Sequence, residues 1–166
     1  MSTTTVAPAK PGTAISTEAL FDHWMGHRRL TRKMIEKYPE DQLFSFSVAG
    51  MRPFGELALE ILGMGVPSLK GVVTGQWQKA EDIHLKNITT KDQLLESWDE
   101  ATKELERLWP EVTPERLQQE DVAFGQWPGT MYWLLLYVID NEIHHRGQGY
   151  VYLRALNIEP PFFWER

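Results

Sequence analysis

The chain of 166 residues contains no cysteine. This absence excludes disulfide bridges, thiolate nucleophiles and zinc sites that use cysteine ligands. It also fits a reducing compartment, and we expect a cytoplasmic protein. Reactive chemistry must therefore be sought among histidine, carboxylate, amide and guanidinium groups.

Positive charge and long apolar runs are also scarce. Lysine and arginine number 17 against 23 acidic residues, which gives a net charge of −6. An acidic chain repels phosphate backbones, so we expect no nucleic-acid partner. The longest apolar run, Met131 to Ile139, is too short to cross a bilayer, and the N-terminus lacks the apolar stretch of a secretory signal. We therefore also expect no membrane association.

Hydrophobic residues make up 42% of the sequence, enough for the core of one domain. Residues 1–15 are predicted to form a flexible tail, and residues 16–166 the domain. Apolar residues recur at helical spacing in four stretches, which end near Pro39, Gly75, Pro110 and Pro160. No strand alternation is evident between them. The pattern predicts an all-α four-helix bundle.

Several residues predict where the helices begin, end or bend. Thr90 followed by Gln93 has the pattern of a capping box, and Thr130 is placed to cap the last helix. Asn157 suits a left-handed helix end. Gly63, Gly65 and Pro67 should kink or break the second helix. Four tryptophans at helical positions are predicted to lie in the core, and a fifth to pack the C-terminal tail onto the bundle: Trp24, Trp98, Trp109 and Trp133, then Trp164.

A polar segment, residues 140–148, follows the apolar start of the last helix and holds the main candidate site. Asn141 and His145 are one turn apart, so both can point at one ion or substrate. His144 lies about 100° round the helix and should serve another neighbour. Such a cluster is also common as a structural bridge within a bundle, and that interpretation stays open.

Two further patterns carry candidate ligands. Glu60 lies on or beside an apolar face of the second helix, where a carboxylate is costly unless it is paired or bound to a metal. The alternative is a carboxylate at the helix edge, in water. His23 and His27 are one turn apart beside Trp24, a spacing that can bind a divalent ion but that also arises by chance.

The sequence resembles the DinB/YfiT-like superfamily along most of its length. The last helix carries the most specific likeness, Glu142 with the run His144-His145-Arg146-Gly147-Gln148, followed by Pro160-Pro161. Trp24 with residues 27–30 resembles the family's first-helix motif, and residues 55–61 resemble its second-helix motif. The resemblance implies an up-down-down-up bundle, often a homodimer. It also implies a divalent metal on three histidines in many members, and reactions of small thiols in some.

The sequence departs from that histidine triad at two positions. Glu60 stands where the family has the second-helix histidine, and Asn141 replaces the first histidine of the last helix; His145 is kept. His27 stands where the family often has asparagine near the pocket. The set Glu60, Asn141, His145 and His27 would favour ions such as Mn, Fe, Ni or Zn, with the oxygen ligands shifting preference toward Mn or Fe.

Two functions remain open at this stage. The first is a metal-dependent enzyme, a thiol-dependent transferase or a hydrolase-like protein, acting on a small molecule. Arg146 and Gln148 would then support the ligands or form dimer contacts. The second is a metal-free binding or stress-response protein, in which Glu60 hydrogen-bonds His145 directly. A third, purely structural reading has tryptophan-rich helices forming a dimer interface.

Overall fold

The computed structural model describes residues 15–79 and 87–166. Its four long helices are α1 (Thr17–Lys37), α3 (Phe54–Thr74), α4 (Lys91–Leu108) and α6 (Met131–Ala155). Short elements connect them: α2 (Glu40–Leu43), a 3₁₀ turn (Trp109–Glu111), α5 (Pro114–Gln118) and the strands β1 (Glu120–Ala123) and β2 (Trp127–Thr130). The all-α prediction is confirmed. The predicted tail lies, apart from Ile15, outside the described residues.

Local capping fixes most helix ends at the predicted residues. Thr90 and Gln93 form a complete capping box at the start of α4. The Thr130 hydroxyl accepts from the Trp133 amide at the start of α6. Gly75, with φ of 69°, ends α3 in the left-handed region that glycine adopts without steric cost. Asn157 also adopts a positive φ, 59°, as predicted.

The core contacts show the up-down-down-up arrangement. One apolar cluster joins the starts of α1 and α6 to the ends of α3 and α4. A second joins the opposite ends of the same four helices. Helices α1 and α6 therefore run in one direction, and α3 and α4 in the other. Between the two apolar halves lies a layer of polar side chains, drawn chiefly from α1 and α6.

Three expectations were wrong in detail. Helix α3 is not broken at Pro67, because its packing against α4 and α6 outweighs one missing backbone hydrogen bond; the kink stays a prediction. The predicted polar connection before α6 contains the hairpin β1–β2, in which Glu120 pairs with Thr130. Trp133 is 46% exposed, so it does not lie in the core. Trp164 is 63% exposed, so it does not pack the tail closely onto the bundle.

Helix α3 differs from the prediction that no apolar segment is long enough to cross a bilayer. Its 21 residues are long and apolar enough to cross a membrane by length and composition. Half of its most apolar 18-residue stretch is buried inside the bundle. Its apolar character is therefore explained by its contacts with α4 and α6.

Candidate functional site

Antiparallel packing of α3 and α6 brings together the three residues that the family resemblance placed in one site. His145 Nε2 lies 2.9 Å from Glu60 Oε1. The Asn141 side-chain amide donates to the same oxygen at 3.1 Å. Asn141 and His145 face α3 together because they are one helical turn apart. We call these three side chains the groove cluster.

Two neighbours complete the groove cluster. The Arg52 guanidinium, from the loop before α3, donates to the other carboxylate oxygen, Glu60 Oε2, at 2.6 Å. His145 Nδ1 lies 2.8 Å from Gln148 Oε1, so the glutamine can accept the Nδ1 hydrogen and fix the ring's orientation. Gln148 thus has the supporting position that the sequence suggested for it.

The environment keeps Glu60 charged. Burial alone would raise the pKa of this carboxyl, but hydrogen bonds from His145, Arg52 and Asn141 outweigh it and lower the pKa to about 2. The side chain is still 34% exposed. The site therefore presents an ionised carboxylate that solvent or a small solute can reach at neutral pH.

One polar atom of the groove cluster has no partner. The carbonyl oxygen of Asn141 is buried and makes no hydrogen bond. Buried polar atoms are normally paired, so an orphan beside a carboxylate and an imidazole indicates a missing ligand or solvent atom. His145 Nε2 and Glu60 Oε1 can both bear lone pairs, so their contact is favourable only when a proton or a cation lies between them.

His27 does not join the groove cluster. Its Nδ1 accepts from Arg146 at 2.8 Å, and its Nε2 lies 3.2 Å from both His23 Nε2 and Arg166 Nη1. Burial, with the charges of Arg146, His23 and Arg166, lowers the pKa of His27 to about 3. The expected fourth ligand is misplaced because α1 packs on a different face of α6. The two guanidinium groups also make the His23–His27 pair a poor cation site.

That second face of α6 holds a buried polar network that sequence reasoning did not anticipate. Glu142 is fully buried, accepts from the Thr31 hydroxyl at 2.5 Å and lies 3.9 Å from Arg146. Arg28 is also buried, stacked over Trp98 at 4.1 Å. Burial raises the pKa of Glu142, with Arg28 and Thr31 opposing it. We call Arg28, Thr31, Glu142, Arg146 and His27 the buried network. Arg146 thus acts inside the bundle rather than beside the expected ligands.

Two earlier signals of the buried network were the family resemblance on the last helix, which includes Glu142 and Arg146, and the spacing of its residues. Glu142 and Arg146 are one turn apart, and Arg28 and Thr31 are three residues apart, so each pair shares a helix face. Opposite charges one turn apart, as at Glu142 and Arg146 after the apolar start of α6, could have indicated a buried ion pair.

A cavity of about 510 Å³ lies between α3, α6 and the hairpin, next to the groove cluster along these helices, although none of the three groove-cluster residues lines it. Met64 and Tyr137 line it, one turn from Glu60 and from Asn141 respectively. The hairpin contributes Phe124 and Trp127. A polar site and an apolar cavity therefore share one groove, an arrangement typical of small-molecule sites.

Comparison with known proteins shows the family to which the chain belongs. The sequence model of the DinB family matches residues 1–165. The chain belongs to the DinB family. Among solved structures, it is similar to the DinB-like protein YjoA from Bacillus subtilis, with a TM-score of 0.74 and 23% identity over 89% of this chain and 99% of that one. A DinB-like protein from Bacillus cereus matches with a TM-score of 0.70 and 20% identity over 87% and 95% of the two chains. No curated protein matches.

The family and the fold of this DinB protein are thus established, and the two structural likenesses support the fold alone. The histidine triad expected from the resemblance is replaced here by a carboxylate, an amide and one imidazole.

Proposed function

We propose that the groove cluster of this DinB protein holds a divalent cation and that the protein is a metal-dependent enzyme acting on a small molecule. The observation that carries the proposal is the buried, unpartnered carbonyl oxygen of Asn141 beside the ionised Glu60 and His145. His27 has no part in this proposal, since it belongs to the buried network.

The donor atoms fit a first-row ion such as Mn, Fe, Ni or Zn. Neighbouring ligands at about 2.1 Å from one ion lie about 3 Å apart, and the atoms meeting at Glu60 Oε1 are 2.9 and 3.1 Å from it. Turning the Asn141 amide over would present its oxygen to the same point. With the Asn141 oxygen turned in, the two oxygens and an imidazole nitrogen without a hydrogen would repel one another unless a positive charge lay between them. In the amide orientation of the structure, hydrogen bonds hold these atoms together instead.

The chain's own groups would each have a defined task. Glu60 supplies the negative charge, and Arg52 holds its second oxygen so that Oε1 stays directed at His145. Gln148 fixes the imidazole by accepting from Nδ1. A bound cation would supply Lewis acidity, lowering the pKa of a water or a substrate thiol. The substrate's apolar part would rest in the adjoining cavity, away from water.

Metal-dependent melting tests the proposal. Untagged protein, stripped with chelator, is melted with Mn²⁺, Fe²⁺, Ni²⁺ or Zn²⁺ at about 100 times the Kd found by equilibrium dialysis. Stabilisation of about 2.7 kcal/mol is expected, which for a chain of this size raises Tm by roughly 5–10 °C. His145→Ala should abolish the rise. His144→Ala, which removes an exposed imidazole from the adjacent position, should leave it intact.

The same comparison can be made on α3. Glu60→Gln should weaken binding strongly, while Glu56→Gln, one turn earlier and exposed, should not. Bound metal well below one ion per chain by mass spectrometry, after loading with each of the four ions, would sink the proposal.

A metal-free binding or stress-response protein is the second candidate, and a specific contact favours it. Arg52 already pairs with Glu60, and the carboxylate accepts two further hydrogen bonds. Within residues 15–79 and 87–166, no group of three or more His, Cys, Asp or Glu side chains is clustered as metal ligands. Under this alternative, the double variant Glu60→His, Asn141→His should gain a zinc-dependent rise in Tm that the wild type lacks for every ion tested.

A further inference from the structure

The apolar cavity has a composition that selects its ligand. Seven residues line it, and none carries a charge: Met64, Ser68, Phe124, Trp127, Trp133, Leu134 and Tyr137. Its volume of about 510 Å³ lies within the range typical of sites for small organic molecules. A wall without charged groups disfavours a charged ligand, because the ligand's charge would lose its hydration without compensation.

Ser68 is the one polar group that the core helix α3 contributes to this wall. Its side chain is fully buried, yet its hydroxyl has no hydrogen-bond partner. A serine inside a helix usually bonds a backbone carbonyl one turn earlier, and a buried hydroxyl without any bond is costly. A ligand that brings a hydrogen-bonding group to Ser68 would remove that cost.

Aromatic side chains surround the cavity's opening. Trp127, Trp133 and Tyr137 remain 46–49% exposed although all three are large and aromatic. Trp133 stacks on Tyr137 with ring centroids 5.9 Å apart, and Phe124 meets Trp127 edge to face at the same distance. Such rings offer flat, rigid contact area to another ring or to a branched aliphatic group.

We infer that this cavity binds an uncharged small molecule with an aromatic or branched aliphatic body and one hydrogen-bonding group directed at Ser68. Met64 and Tyr137, which line the cavity, lie one turn from Glu60 and Asn141, so the opposite end of an elongated ligand is directed toward the groove cluster. Only this last step rests on the proposed function. Binding of the body depends on the cavity alone and does not require metal.

A second copy of the chain is the competing occupant, since the exposed rings could also pack in a dimer. Two features favour a small molecule. The site is concave rather than flat, and its unpaired hydroxyl lies on a fully buried side chain. The rigid surface of a second bundle would cover Trp127, Trp133 and Tyr137 without satisfying Ser68.

The test uses metal-free protein and the neutral fluorophore N-phenyl-1-naphthylamine. Saturable binding with enhanced fluorescence is expected, and Trp133→Ala should weaken it at least about fivefold. Trp164→Ala removes an equally exposed tryptophan outside the cavity and should leave affinity within about twofold. Absence of saturable binding, or equal losses in the two variants, would overturn the inference. So would sedimentation showing a dimer that Trp133→Ala dissociates, with no probe bound by the monomer.

Displacement of the fluorophore then tests Ser68. The competitors are 1-naphthol and naphthalene, which share a ring system and differ by one hydroxyl. Ser68→Ala should weaken 1-naphthol roughly two- to tenfold and leave naphthalene unchanged or tighter. An equal effect on the two would refute the role of Ser68. Since no metal is present, these results stand or fall separately from the cation site.

Discussion

Two polar clusters lie side by side on α6, and they differ in almost every physical respect. The groove cluster uses Asn141 and His145, whereas the buried network uses Glu142 and Arg146, the next residue in each case. A step of one residue turns a helix by about 100°, so the first pair faces α3 and the second faces α1. Neighbours in sequence thus serve different environments.

The two clusters differ in how far solvent can reach them. Every member of the buried network is at most 6% exposed, and its charges lie close to one another and to backbone groups, although Glu142 Oε2 has no hydrogen-bond partner. The groove cluster has a carboxylate that is one-third exposed and an acceptor left unpaired, next to a cavity. Ionisable residues alone therefore say little about function. Both clusters hold an unpaired acceptor, Asn141 Oδ1 in one and Glu142 Oε2 in the other, so the accessible carboxylate beside a cavity is what distinguishes the groove cluster from a structural network.

Removing Glu142 should break the buried network with the largest effect. Glu142→Ala leaves the buried guanidinium groups of Arg28 and Arg146 without their carboxylate. Loss of one partner from a buried ion pair costs about 3–5 kcal/mol, which urea denaturation would measure. Glu56→Ala, at an exposed position, should change the free energy of unfolding by no more than about 0.5 kcal/mol. A loss below about 1 kcal/mol for Glu142→Ala would show that the two arginines are compensated in some other way.

A smaller effect is expected where the groove cluster depends on close helix packing. A Cβ atom at Gly149 would lie 2.5 Å from the buried Phe54 ring, so Gly149→Ala must separate α6 from α3. We expect a loss of about 1–3 kcal/mol in thermal or urea denaturation, together with weaker metal-dependent stabilisation.

Gly147 offers a matched control for that change. It lies two residues earlier on α6, and a Cβ atom there would meet no atom within 4 Å. Gly147→Ala should be neutral or stabilise by up to about 1 kcal/mol, because alanine is the better helix former. If the two variants behaved alike, close approach of α3 and α6 would not be what Gly149 provides.

What the sequence predicted well was set by local chemistry. The capping box at Thr90 and the caps at Thr130 and Asn157 depend on a few adjacent residues, so the start and end of α4 and α6 were placed almost to the residue. The hairpin was missed because strands of four residues, one of them with Pro128 and Gly129, have too little alternation to be recognised.

The site was predictable only in part, because a local sequence does not show which faces of two distant helices pack against each other. Family resemblance correctly brought Glu60 to Asn141 and His145, although their binding of metal stays a prediction. His27 was put in the wrong cluster, since its position on α1 does not show which face of α6 it meets. The cavity beside Ser68 depends on where α3, the hairpin and α6 leave space, and no short motif predicts that.

At neutral pH the smallest effect is expected at His27, and it grows as pH falls. Arg146 donates to its Nδ1, so the folded protein holds this ring neutral, with its pKa lowered to about 3 from 6.5. Between these two pH values the unfolded chain binds a proton at His27 and the folded protein does not. The free energy of unfolding therefore decreases progressively as pH falls from about 6.5 toward 3. In His27→Gln, which keeps an acceptor for Arg146, unfolding should take up as much as one proton fewer across this range. Urea denaturation at pH steps from 7 to 4 would measure the difference, with the exposed His144→Gln as the control for removing an imidazole. Parallel stability curves for wild type and His27→Gln would mean that His27 is protonated in the folded protein, and the contrast between a closed network and an open site would then need revision.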